Sequence, residues 1–178
     1  MKAFAAALLV LVAACGEGRA IFNIDAYSFL AGTGKDTIPY NIPAGLSGTA
    51  STVQKINLPP GFGSSGIDSI GIRTDSANLI NATGSGSIGF QLFFASDSAA
   101  TYSAPMALNI PPTNVSGAQT VPVVITGDLT GVVDSLFKQQ TLWMRIAATA
   151  NNTGVTALTG KGALTALVIR VILQDKIF

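Results

Sequence analysis

Ile88, Phe90, Leu92 and Phe94 place bulky apolar side chains at every second position, and no other feature restricts the fold as strongly. Successive side chains of a strand point to opposite sides, so this run presents one continuous apolar face. Phe93 adds bulk on the other face, which marks a central strand. The same period recurs in Phe22, Ile24 and Ala26, in Ile56 and Leu58, in Ile70 and Ile72, in Met106, Leu108 and Ile110, in Val121, Val123 and Ile125, and in Leu142, Met144, Ile146 and Ala148. Residues 163–173 form a near-continuous apolar run broken by Arg170, the pattern of a strand buried on both faces. Turn residues punctuate the chain every ten or so positions. The pattern predicts an all-β, antiparallel β-sandwich with Greek-key or jelly-roll wiring and roughly 8–10 strands.

Local signals fill in the outline. Pro39 and Pro43 flank an edge strand around Ile38–Ile42, because proline cannot donate to a ladder. A turn at Asp75-Ser76 divides 67–74 from 77–83, and Pro111-Pro112 ends the strand at Met106–Ile110. Two Thr-Ala-Leu triplets, 156–158 and 165–167, flank Thr159-Gly160-Lys161-Gly162 and read as hairpin arms. One segment breaks the period: Leu129, Val132, Val133, Leu136 and Phe137 fall at helical spacing, predicting a short helix near 128–139 capped by Thr126 or Asp128. Gly131 weakens it.

The N-terminus carries a different kind of information. Lys2 precedes a twelve-residue apolar stretch, Ala3 to Ala14, far short of the roughly 20 residues a spanning helix needs. It ends Val12-Ala13-Ala14-Cys15-Gly16. This resembles the lipobox of bacterial lipoproteins, in which an aliphatic and two small residues precede a cysteine. The resemblance covers residues 1–16 and implies that 1–14 are a signal peptide and that Cys15 is acylated and becomes the mature N-terminus. Residues 15–20 then form a tether and 21–178 a single domain. Cys15 is the only cysteine, so it has no disulfide partner within the chain. The alternative is an ordinary secretory signal cut after Ala14 or Ala20, giving a secreted protein. Gly16 stands where some Gram-negative lipoproteins carry an inner-membrane retention aspartate, which favours the outer membrane of the cell envelope.

Composition narrows the function. The chain has ten basic and nine acidic residues; loss of Lys2 leaves the mature protein near neutral, with no electrostatic attraction for nucleic acid. There is no histidine, and the only glutamate is Glu17. Histidine-based acid–base and nucleophilic mechanisms are thereby excluded, as are the usual Cys/His metal and haem sites. The expectation is a protein that is not an enzyme and has no cofactor. The one cation left open is Ca²⁺, should loops gather two or three of Asp25, Asp36, Asp68, Asp75, Asp97, Asp128, Asp134 and Asp175; none has the spacing of a calcium loop.

Other motifs dissolve on inspection. Gly84-Ser85-Gly86-Ser87-Ile88-Gly89 spells a dinucleotide fingerprint, but strand-spaced residues follow where a helix N-terminus is needed. Gly32-Thr33-Gly34-Lys35 lacks the first glycine of a phosphate loop. The sequons at Asn81, Asn114 and Asn151 are loop composition. The terminal Phe178 does not continue back as the alternating signature of an outer-membrane barrel. Trp143, Tyr27, Tyr40 and Tyr102 are the aromatic residues a sugar-binding face would use; core packing is the commoner role of such side chains. Trp143 alternates with Leu142 and Met144 and is placed on an outer sheet face.

These observations point to a lipid-anchored envelope protein, a structural or protein-binding module whose partners are the membrane, through its lipid, and other envelope proteins. A carbohydrate-binding sandwich is the alternative, and a fibre subunit using strand exchange a more distant one.

Overall fold

Alternation along the chain becomes two packed antiparallel sheets in the computed structural model, which describes residues 18–58, 66–125, 127–129 and 135–175. Sheet A contains β1 (Gly18–Asp25), β2 (Thr37–Ile42), β4 (Gly66–Thr83), β7 (Gln119–Val124), β8 (Gly127–Asp128) and β10 (Leu158–Asp175). Sheet B contains β3 (Ser47–Asn57), β5 (Ser85–Ala95), β6 (Met106–Ser116) and β9 (Thr141–Asn152). Short 3-10 turns lie at Tyr27–Phe29, Ala100–Tyr102 and Leu136–Lys138.

The wiring is that of a jelly roll. β1 and β2 pair end to end along one side of β10, and β7 and β8 end to end along the free side of β4. Counting each pair as one position gives eight positions in chain order. Sheet A then runs first, eighth, third, sixth, and sheet B runs second, seventh, fourth, fifth. The chain crosses between the sheets at nearly every connection, as two interlocked Greek keys require.

β4 and β10 are each 18 residues long and pair along their whole length. At about 3.3 Å per residue such a strand spans roughly 55 Å. Two expected breaks are therefore absent. Asp75-Ser76 continues β4, and Thr159-Gly160-Lys161-Gly162 lies inside β10 rather than in a hairpin turn. Four register shifts bend the pair instead. At one of them Thr165 is the extra residue, and its Oγ1 donates to Ser76 O at 2.8 Å.

The inner faces carry the predicted alternation. Ile88, Phe90, Leu92 and Phe94 of β5 and Leu142, Met144, Ile146 and Ala148 of β9 are buried. Across from them lie Leu167, Ile169, Val171 and Leu173 of β10 and Ile70, Ile72, Ala77 and Leu79 of β4. Each such side chain contributes about 1.5–3 kcal/mol on burial. β5 and β9 are hydrogen-bonded neighbours as the sequence suggests, but β10 belongs to the opposing sheet. Its outward residues Val168, Arg170 and Ile172 are half-buried, so its burial is complete on one face only.

Other expectations need correction. β1 begins at Gly18, so residues 18–20 belong to the sheet and not to a tether, and it ends at Asp25. Pro111 and Pro112 lie within β6, at a bulge opposite Gly89 on an edge strand, where a missing donor costs little. The helix expected over 128–139 does not begin at Asp128. Gly127–Asp128 pairs with Ile72 and Gly71, and Leu129 N–H donates to Ile70 O at 2.8 Å. Only the 3-10 turn Leu136–Lys138 is helical in the described part; Val132 and Val133 lie outside it. Leu129 and Phe137 are both buried in the core, with Phe137 edge-on to Phe94 at 6.3 Å. Residues 1–14, expected to be a signal peptide, and Cys15 lie outside the described residues.

Candidate functional site: the outer face of sheet B

Antiparallel register fixes which residues share the outer face of sheet B. Its cross-strand rows are Lys55–Trp143–Ala95, Val53–Arg145–Phe93, Ser51–Ala147–Gln91 and Thr49–Thr149–Gly89. Small residues in the last two rows leave a groove of about 280 Å³. Hydroxyl and amide side chains of Thr49, Ser51, Gln91 and Thr149 line it, and Arg145 is its only charged residue.

Arg145 is held in a fixed attitude. Its guanidinium carbon lies 3.8 Å from the centroid of the Phe93 ring and 4.9 Å from that of Tyr102. Its Nε–H donates to Thr101 O at 3.0 Å. Contacts of this kind contribute about 0.5–2 kcal/mol each, more as the cation loses water. The turn that supplies Thr101 and Tyr102 is itself braced. Asp97 Oδ1 accepts from Ala100 N–H at 2.8 Å, and the buried Thr101 donates its hydroxyl to Ser98 O at 2.7 Å. Tyr102 remains 64% exposed, so an aromatic ring stands at the rim of the groove.

The four aromatic residues singled out from sequence part company. Tyr102 lies at the groove. Trp143 is half-buried on the same face, in the row beside Arg145. Tyr27 packs half-buried against the core. Tyr40 is buried and donates its hydroxyl to Asn81 Oδ1 at 3.0 Å. Burial pushes its phenol up to about 12. Tyr40 is thus a structural residue in a polar network, since Asn81 Nδ2 in turn donates to Gly84 O at 3.1 Å and Gly117 O at 2.6 Å. A second buried amide, Asn152, donates to Ile42 O and Thr156 O and accepts from Gly154 N–H. These two asparagines satisfy the backbone of the loops at the Gly84 end.

Two of the aspartates have local work. Asp25 accepts from Ser28 N–H at 3.2 Å, and Asp97 caps the turn under Tyr102. Among the described residues no three carboxylate or thiol side chains come together. Both edges of sheet B are blunted. Pro111 and Pro112 interrupt β6, and Lys35 Nζ donates to Val53 O and Gln54 Oε1 on β3.

Phe93 and Arg145 were the residues the sequence underplayed. Each points outward from a strand whose inward face dominates the pattern. Their meeting depends on the pairing of β5 with β9, which no local signal announces.

No protein-family profile matches the chain, and no curated protein matches it. Solved structures similar to it include that of infectious bursal disease virus Gx strain, at 9% identity and a TM-score of 0.42, over 90% of this chain and 37% of that one. Dimeric latent PorU from Porphyromonas gingivalis is similar at 12% identity and a TM-score of 0.35, over 91% of this chain and 13% of that one. TmCBM61 in complex with beta-1,4-galactotriose is similar at 10% identity and a TM-score of 0.26, over 86% of each chain. The chain thus spans well under half the length of the first two. At these identities neither a ligand nor a partner carries across to this chain.

Proposed function

We propose that this chain is a lipid-anchored, non-catalytic module of the bacterial envelope that binds carbohydrate on the outer face of sheet B. The observation that carries the reading is Arg145, immobilised beside Phe93 and Tyr102 at the edge of a groove lined by hydroxyls and an amide. Sugars present both hydroxyls and C–H faces. An exposed tyrosine ring offers stacking for the second, and a planar guanidinium offers paired donors for the first. With Nε committed to Thr101, the terminal amino groups of Arg145 are left to meet a ligand oxygen, and a sugar carboxylate matches their fork best. Absence of histidine from the chain and the position of Glu17 beside the anchor support the non-catalytic part.

Calorimetric titration of neutral and uronate-containing oligosaccharides is the test. Arg145→Ala should weaken binding of a uronate ligand about 10–100-fold, the equivalent of one charge-assisted hydrogen bond. Tyr102→Ala should weaken both ligand classes. No binding to any glycan, or binding indifferent to both substitutions, would overturn the carbohydrate reading. Protein capture lost with Arg145→Ala would point instead to docking of an envelope protein on the same face. The anchor has its own test: Cys15→Ala should release the protein from the membrane fraction, and intact mass should place acyl chains on residue 15.

A further inference from the structure

The position of β1 relative to Cys15 bears on how the domain sits. We infer that the outer face of sheet A, at its Gly18 end, rests on the headgroup layer of the bilayer that carries the lipid. This rests on the anchor reading and goes beyond it. Three residue steps separate Cys15 from Gly18, so the acylated residue lies within about 11 Å of the sheet. Gly18 pairs with Asp175 and Gly66 with Gln174, which places the starts of β1 and β4 and the end of β10 together. The opposite end, where Thr83 meets Thr159, is roughly 55 Å away along the strands.

One face near the anchored end suits an interface with lipid. Ile21 of β1 is 53% exposed and sits directly across from the half-buried Ile172. Two pairs further along, Arg170 points the same way beside Asn23. Gly71 provides no side chain there, and a groove of about 380 Å³ opens between Ser69, Arg170 and Ile172. Arg170 Nε is buried and has no hydrogen-bond partner among the described residues. A lipid phosphate at this groove would offer acceptors to the guanidinium. Ile21 and Ile172 would enter the layer where short aliphatic side chains are tolerated. Sheet B, with its groove, then faces away from the membrane and stays open to a soluble ligand.

The acylated Cys15 leaves no other thiol in the chain, so a single introduced cysteine takes a fluorophore without ambiguity. Probes belong at Ile21→Cys, at Asn57→Cys on sheet B at the same end, and at Val155→Cys, which is 95% exposed near the far end. The full acylated protein is reconstituted in phosphatidylethanolamine–phosphatidylglycerol vesicles containing a headgroup nitroxide lipid. Quenching at Ile21→Cys should exceed that at Asn57→Cys and Val155→Cys several-fold, and Arg170→Gln should reduce the difference. Equal quenching at Ile21→Cys and Asn57→Cys, or none at either with Cys15 acylation verified by mass, would overturn the inference. A mass without acyl chains would overturn the anchor reading, and that outcome is read independently of the quenching.

Discussion

Phe90→Ala, combined with Gly162→Ala, tests how the two sheets meet. Phe90 is 6% exposed on the inner face of β5. A Cβ placed on Gly162 of β10 would lie 2.7 and 2.9 Å from its ring atoms, so the ring sits directly over that glycine. Removing six buried ring carbons at about 0.8 kcal/mol each sets an upper value near 5 kcal/mol. An apolar cavity of about 30 Å³ already adjoins the ring, so some of its contacts are absent beforehand. The loss should therefore fall in the lower part of the usual range, at about 3–4 kcal/mol. That corresponds to a thermal midpoint roughly 10 °C lower for a domain of this size. Gly162→Ala alone overpacks the site and should cost about 1–3 kcal/mol. In the Phe90→Ala background the new methyl group has room, so the two losses should fall short of additivity by at least about 1 kcal/mol. Chemical denaturation of the four proteins gives the coupling. Strict additivity would mean that Phe90 does not face Gly162, and the packing of β5 on β10 described here would be wrong.

Three other outcomes follow from single contacts. Tyr40→Phe leaves the buried Asn81 Oδ1 without its donor and should cost about 1–3 kcal/mol at neutral pH. The raised phenol also predicts a pH effect: the folded state holds the proton more tightly, so wild-type stability should fall as pH rises from about 10, where the unfolded phenol ionises, through about 12. Tyr40→Phe should lack that part of the decline in denaturation midpoints taken from pH 9 to 12. Gly84→Ala should destabilise by more than about 2 kcal/mol, because φ is +78° and the new methyl would lie 2.5 Å from Ala157 O; an unchanged midpoint would refute the tight crossing from β4 to β5. Asp97→Ala should cost about 1 kcal/mol or less in stability, yet reduce glycan affinity several-fold by loosening the turn that holds Thr101 and Tyr102 on Arg145.

Most of the fold is legible in the sequence because strand alternation records which face is buried. Runs at 88–94 and 142–148 give both the strand and its inward side. What the sequence conceals is long-range. The division of β4 at Asp75-Ser76 looked natural because Asp-Ser favours turns, yet pairing with β10 across that point absorbs the irregularity as bulges. The stripe from Leu129 to Phe137 has helical spacing, but at its start Asp128 and Leu129 are held to Gly71 and Ile70 as part of a sheet, a long-range pairing that local spacing does not announce. Tyr40 alternates with Ile38 and Ile42 in the expected edge strand and is buried by β10 pairing, whereas Tyr102 lies exposed on a short turn with no such pattern around it. Arg145 becomes informative only once β9 lies beside β5.

The central claim is that ligand binds on the outer face of sheet B, and amide chemical-shift mapping during titration with a uronate oligosaccharide tests it directly. The account predicts perturbations centred on Phe93, Arg145 and Tyr102 and spreading along Thr49, Ser51 and Thr149, with a shift of the Arg145 side-chain Nε–H resonance. Perturbations confined to sheet A, or a spectrum unchanged at saturating glycan, would contradict it.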